Sequence, residues 1–492
     1  MKVTFPNFAI VGKDPESEHR LEEVINQVLP VSDIDHFPSF ESFMSRRQEP
    51  YQTVLVDYDL IKDNCDAERL EQINTGNQEG NKSKSQIIVF NANHSLFRNL
   101  ESIVRMFNER VLRGLLLKPG ERGYETMEHD AKTLLAHLMQ EGVLNLDFPV
   151  AVNGAGVVGS QVVKKLLSEG FEVHWFSQSL SDQKYCIREN DKDKYVNYGG
   201  YRKLKGMVNN ARLVCHPNIE RLLASEPAFL VFASSKYDPG ILKKIRKATE
   251  RGRMIRGLYR DSQPKVDDII LPYVLGKSDA VIMNVSNPPE CLAQRELQSC
   301  IDPEHIVTCS PDFRRLTGLL GVPQDTIDAT ILGEHASPMY VPEVIRIRGK
   351  SLREISRGKG RLQIAFKSII EKMIHDLGNY GHDVMALYEE IKGTIPYEDA
   401  ADAVVEALTD LRKMQIPNSL GYYQERFDGF LLGPKPKVDF HDLTFREDPN
   451  SLERYQSILK TCKKYELAKK LQRATTNQRQ IASKPKIEHY QF

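Results

Sequence analysis

Apolar residues along the first 145 positions fall into short runs separated by longer stretches with helical spacing. The runs at 8–11, 53–56, 86–90 and 114–117, with a weaker one near 34–37, predict strands; the stretches at 16–29, 39–46, 67–73, 96–110 and 124–140 carry their apolar residues at intervals of three and four and predict helices. Strands alternating with helices at this pitch predict a five-stranded parallel sheet covered on both faces. Residues 74–85 read as a polar loop, and 141–147 as a linker into a second region. There the pattern resumes: an apolar strand at 149–153, an amphipathic helix from 157 to about 169, a second strand at 171–176, and a long charged stretch at 179–210. Buried strands follow at 228–233 and 280–283, then an alanine-rich helix at 400–408 and two strand-like runs at 429–434 and 437–440. The tail from 475 to 492 is polar and reads as disordered.

Composition narrows the function classes. Lys plus Arg and Asp plus Glu both number 67 in 492 residues, so no bulk charge favours nucleic acid or an anionic membrane. The seven cysteines are scattered, without CxxC spacing or pairing with histidine, which predicts reduced thiols and no metal site. The start, Met1-Lys2-Val3-Thr4-Phe5-Pro6, has no signal-like apolar segment, and no stretch approaches the ~18 apolar residues of a membrane span. A cytoplasmic protein is the expectation.

The first chemical signal is Gly154-Ala155-Gly156-Val157-Val158-Gly159, set between the strand at 149–153 and the helix after it. In such a GxGxxG turn the first glycine permits the tight turn, the second lets backbone approach a pyrophosphate, and the third lets the helix pack against the strand. The helix N-terminus then receives the phosphates. The bland alternative is a Gly-rich turn in an α/β sheet. The second strand ends at Ser177, where an NAD site normally has an acid for the ribose hydroxyls; Ser177 removes repulsion against a 2′-phosphate, so NAD and NADP both stay open. Lys184 and Arg188 are the nearest basic residues that could meet such a phosphate.

Farther on stands Thr330-Ile331-Leu332-Gly333-Glu334-His335. A strand ending in Gly-Glu-His downstream of a dinucleotide turn resembles the lactate/malate dehydrogenase family, and the resemblance spans residues 149 to about 471. It implies a Rossmann domain followed by an α+β substrate domain, and transfer of hydride between a nicotinamide and a small 2-oxo or 2-hydroxy acid. By that resemblance His335 is the proton donor and acceptor, a role suited to an imidazole that titrates near neutrality. Asn287, within Ser286-Asn287-Pro288-Pro289, faces substrate oxygen and nicotinamide ribose; an Asx-turn before proline is its structural alternative. Arg256 corresponds to a loop arginine that polarises the substrate carbonyl, with Arg251 and Arg253 as rivals and a solvated basic helix as the alternative. Asp312 would orient His335 and Arg315 would clamp the carboxylate from the same helix face. An alternative register on Phe313-Arg314 brings Cys309 and Asp312 to those two positions and destroys the pair.

The first region resembles the receiver domain of response regulators, a flavodoxin-like fold. Its third strand ends at Asp57, where receivers carry the phosphoacceptor, and its fifth ends in Leu117-Lys118-Pro119. It departs from the family at Gly12-Lys13, which replaces the acidic pair, and at Asn91, which replaces a Ser or Thr. A hard cation wants several oxygen ligands, so these changes point to a pseudo-receiver used for docking or dimerisation.

The expected organisation is therefore a receiver-like domain at 1–145, a Rossmann NAD(P)-binding domain at 146–290, a lactate/malate dehydrogenase-like C-terminal substrate domain at 291–474 and a tail at 475–492. A homo-oligomer, dimer or tetramer, is the expected assembly. The rival reading is a catalytically inactive nucleotide-sensing or scaffold protein regulated through the receiver-like domain.

Overall fold

The computed structural model describes residues 3–29, 33–46, 51–61, 70, 86–92, 112–117, 124–141, 144–177, 187–189, 192–194, 212–234, 267–286, 289–309, 311–320, 322–329, 331–332, 339–340, 345–356, 398–424, 429–432, 436–450, 453 and 460. Of the expected elements, the helix at 67–73 apart from Leu70, the helix at 96–110, most of the charged stretch at 179–210 and the tail lie outside this set. Two compact units divide the chain: Val3–Asp147 together with Arg412–Met414, and Phe148–Leu411 together with the chain after Met414.

The first unit is built on strands β1 (Asn7–Val11), β2 (Asp33–Phe37), β3 (Thr53–Asp57), β4 (Gln86–Ala92) and β5 (Leu112–Leu117). They form one parallel sheet in the order β2-β1-β3-β4-β5. The alternation of side chains along a strand sorts the core into two halves. Ala9, Val11, Val54, Val56, Ile87 and Val89 pack on one face with Phe37, Phe40 and Phe43. Phe8, Ile10, Leu55, Ile88 and Phe90 pack on the other beneath helices α1 (Pro15–Val28) and α3 (Tyr124–Gln140). A shorter helix, α2 (Phe40–Arg46), follows β2. Strand β3 is buried along its whole length, whereas polar β2 lies at the sheet edge and is mostly exposed. Helix α1 starts where Asp14 caps it and Pro15 occupies the first turn, a position that needs no N–H donor. Within the expected linker at 141–147, Leu144 is fully buried in the α1/α3 core, where its apolar side chain is removed from water.

The second unit contains a ten-stranded sheet. Its strands are β6 (Val150–Asn153), β7 (Val173–Phe176), β8 (Leu213–Cys215), β9 (Phe229–Phe232), β10 (Val281–Asn284), β11 (Ile306–Cys309), β12 (Ile331–Leu332), β13 (Met339–Tyr340), β14 (Leu420–Gln424) and β15 (Gly429–Leu432). The spatial order is β8-β7-β6-β9-β10-β11-β14-β15-β12-β13. The first six strands are parallel, and β14 then pairs antiparallel with β11. Strands β6, β9 and β10 are buried throughout, as continuous apolar runs covered on both faces must be. The sixth parallel strand, β11, follows the helix Pro289–Gln298 in the chain. A helix over 267–275 closes its last turn with Gly276 N–H donating to Pro272 carbonyl. Among the described residues no helix is long and apolar enough to cross a membrane.

Candidate functional site

The parallel strands run 3-2-1-4-5-6 when numbered along the chain, so the order reverses between β6 and β9, the kind of switch point beside whose carboxyl ends ligands bind in open α/β sheets. The Gly154–Gly159 turn sits at that point, leading from β6 into helix α4 (Val157–Ser168). Its three glycines do different work. Gly154 has φ +129°, and a Cβ there would stand 2.6 Å from the Ala233 carbonyl oxygen at the end of β9. A Cβ on Gly159 would stand 2.4 Å from the Gly154 carbonyl oxygen, so the helix can lie against the turn only without one. A Cβ on Gly156 would meet nothing within 4 Å. Gly156 caps α4 without a side chain, and the first turn holds no acid. The backbone donors at this helix start therefore face their exit with neither a capping oxygen nor a carboxylate beside them, which suits an anion.

Strand β7 fastens the turn. Gly154 N–H donates to Phe176 carbonyl at 2.9 Å, and the Trp175 indole N–H donates to Gly154 carbonyl at 2.8 Å. Ser177, just beyond β7, is buried. On the neighbouring strand pair His174 Nδ1 lies 2.8 Å from His216 Nε2, while His174 Nε2 lies 2.9 Å from Glu172. Burial, then the neighbouring His174 and Arg221, push the His216 imidazole down to about 4.

A polar network underlies the ends of β9 and β10. Ser286 hydroxyl donates to Ser234 carbonyl at 2.8 Å, and Thr308 hydroxyl donates to Asn284 carbonyl at 2.7 Å. Asn284 Nδ2 donates to Glu296 Oε2 at 2.8 Å, from β10 to helix α5 (Pro289–Gln298). Burial pushes the Glu296 carboxyl up to about 8, against the opposing hydrogen bond from Asn284. Sequence reasoning missed Trp175, Asn284 and Glu296. Glu296 was the most accessible to it, since it falls three and four residues after the buried Ala293 and Leu292, on their face of the helix.

Of the residues assigned by resemblance, Arg256, Asn287 and His335 lie outside the described set, as do Lys184 and the Gly333-Glu334 pair. Arg188 falls on the short strand Ile187–Glu189. Asp312 and Arg315 both belong to helix α6 (Asp312–Leu320), three residues apart; their side chains are outside the described set. The alternative register does not share one helix: Cys309 ends β11, is buried beside Ser419, and its thiol is pushed up to about 12 by burial. Between them Arg314 turns to helix α7 (Glu398–Arg412), pairing with Asp402 at 3.1 Å, Asp399 at 3.8 Å and Glu406. Asp402 also pairs with Lys165 of α4.

In the first unit Asp57 ends β3 and is 1 % exposed. Its carboxylate accepts from the Asp59 N–H at 2.9 Å and from the Lys13 N–H at 3.5 Å. Asp14 is engaged as helix cap, accepting from Ser17 hydroxyl at 2.6 Å and Glu16 N–H at 3.3 Å. Glu18 packs over Gly12, where a Cβ would stand 2.6 Å from its Oε1, and its carboxyl is raised, first by burial and then by Asp57 and Asp14, against His36. Among the described residues no group of three or more His, Cys, Asp or Glu side chains is placed to hold a metal ion. Lys118, Pro119 and the side chain of Asn91 lie outside the described set.

No family model and no curated protein matches the chain. Similar solved structures include the malate dehydrogenase from Aeropyrum pernix, 13 % identical, covering 64 % of this chain and 96 % of that one with a TM-score of 0.41. The minor L-lactate dehydrogenase from Enterococcus mundtii is 15 % identical, covering 64 % and 98 % with a TM-score of 0.40. A 6-phospho-alpha-glucosidase from gut microorganisms, solved with NAD and Mn2+, is 11 % identical, covering 69 % and 98 % with a TM-score of 0.39. Likeness at this level assigns neither substrate nor site residues.

Proposed function

We propose that the second unit is a nicotinamide-dinucleotide-dependent oxidoreductase acting on a small 2-oxo or 2-hydroxy acid. The observation that carries the cofactor reading is the Gly154–Gly159 turn: two glycines are required by the protein's own packing, whereas Gly156 faces open space at the uncapped start of α4. A pyrophosphate fits that description, and Gly154, Ala155, Gly156, Val157, Val158 and Gly159 would hold it. A bound nicotinamide supplies or accepts hydride. Ser177 leaves NAD and NADP both admissible.

The chemistry rests on the sequence resemblance. His335 gives a proton to the developing alkoxide during reduction and takes it back during oxidation, Asp312 orients it, Arg315 binds the substrate carboxylate, Arg256 polarises the carbonyl and Asn287 donates to substrate oxygen. The first unit is a pseudo-receiver that acts through its surfaces, and the assembly is a homo-oligomer.

Titration with NADH and NADPH tests the reading. Saturable binding of at least one is the expected result, and Gly156→Ala should weaken it while shifting the melting temperature by only a few °C, since the added Cβ meets no protein atom within 4 Å. Failure of both cofactors to bind folded protein overturns it. His335→Asn should lower 2-oxo acid reduction by about 10²- to 10⁴-fold with cofactor affinity kept. A second reading, an inactive nucleotide sensor or scaffold, draws on the Asp57 pocket, where Lys13 stands in place of a metal-binding acid. Cofactor binding with no turnover of pyruvate, oxaloacetate or longer 2-oxo acids would favour it.

A further inference from the structure

The geometry points to Trp175 as the residue that holds the dinucleotide turn in its binding conformation and, as the chain's single tryptophan, as its built-in optical reporter. This deepens the dinucleotide reading and rests on it for the ligand, not for the geometry. Trp175 lies on β7 with 1 % of its surface exposed, and its one polar atom is spent on the Gly154 carbonyl. That carbonyl is confined from two directions: the indole N–H donates to it at 2.8 Å, and it lies where a Cβ on Gly159 would come within 2.4 Å. The N–H of the same residue is bound to Phe176 carbonyl. Both polar groups of Gly154 are thus taken by β7, and φ +129° at this residue is fixed from outside the turn. A buried indole N–H needs an acceptor, so the pair is over-determined: release of the turn would strand the donor as well as the carbonyl. The donors that remain for a pyrophosphate are the first N–H groups of α4, and their direction follows from where Gly154 is held. Trp175 acts through the turn and is a positioning residue.

Phenylalanine keeps a six-membered aromatic ring but loses the N–H together with the rest of the five-membered ring. In Trp175→Phe, affinity for ADP-ribose or NADH should fall about 3- to 10-fold, the equivalent of one neutral hydrogen bond, while affinity for adenosine, which has no pyrophosphate, should hold. Hydrogen exchange in the ligand-free variant should quicken at Gly156–Ser160 and stay unchanged in β9 and β10. Benzothienylalanine in place of Trp175, which keeps the bicycle and lacks only the donor, separates the lost hydrogen bond from the lost volume and should show the same effects. In the wild type the Trp175 emission should shift on adding ADP-ribose. Equal weakening for adenosine and ADP-ribose, or unchanged exchange at the turn, would overturn the positioning role. If the wild type binds neither ligand, the dinucleotide reading fails, and the exchange experiment still decides whether Trp175 sets the turn.

Discussion

The carboxyl of Glu296 meets the side-chain amide of Asn284 at 2.8 Å, with both residues shut away from water beneath the end of β10. Burial holds Glu296 protonated to about pH 8, while in an unfolded chain it ionises near 4.5. The folded form therefore binds the extra proton between these values, and the group's contribution is fully present below about 4.5 and lost as pH rises through about 8. Glu296→Gln keeps the acceptor and cannot ionise. The variant should be more stable than wild type above pH 8, by a few kcal/mol at most, and near parity at pH 5. Chemical denaturation at both pH values checks this; a difference that does not change with pH refutes it.

His216 gives the opposite slope. Its folded value of about 4 lies below the ordinary 6.5, so the unfolded chain binds the proton first and stability is lost as pH falls from about 6.5 through 4. His216→Gln should lose less stability than wild type between pH 7.5 and pH 5. Equal acid sensitivity of the two proteins would show that the pair with His174 does not couple to folding.

Arg314 gathers Asp399, Asp402 and Glu406 from one face of α7. Arg314→Met leaves those carboxylates to repel one another, with Lys165 as a remaining partner of Asp402. About 1–2 kcal/mol should be lost in low salt, and less in high salt, because the cluster is partly exposed. Urea melts at two ionic strengths measure it. An effect independent of salt would assign the loss to packing instead.

Asp57 should stay unmodified when the protein is treated with acetyl phosphate and Mg²⁺, because Asp14 is committed to the α1 cap and, among the described residues, no group of three acids is placed to hold the ion. Intact-mass spectrometry reads the result directly. A magnesium-dependent phosphoryl adduct on Asp57 would overturn this prediction.

Local patterns carried well from sequence to structure, and partners distant in the chain did not. The helix Tyr124–Gln140 has the bounds its apolar spacing implies, and the glycine turn lies between the strand and helix that flank it in sequence. Trp175, by contrast, looks like one more apolar residue of a buried strand until β7 is set beside β6, which brings the indole to a carbonyl 21 residues away. Glu296 is a carboxylate on an apolar stripe, a conflict visible in the spacing but explained only by Asn284 on another element. Leu144 sits in a segment too short to show a strand or helix period, so its place in the core came only from the distant residues of α1 and α3 that pack against it. Where α6 begins could not be fixed from sequence, since helix starts are poorly marked when no capping box precedes them.

The pairing of β11 with β14 has a consequence for biosynthesis. One edge of β11 is covered by β10, close behind it in sequence, but the other waits for residues 420–424, and Cys309 reaches its neighbour Ser419 across 110 positions. At ~5–20 residues per second a ribosome needs roughly 5–20 s to deliver that cover. During the interval a nascent chain carries a buried-type strand with open N–H and C=O groups, the kind of edge that recruits a second polypeptide. A product truncated ahead of residue 420 would keep that edge for its lifetime, so it should be a substrate for holding chaperones and a source of aggregates rather than a smaller stable protein.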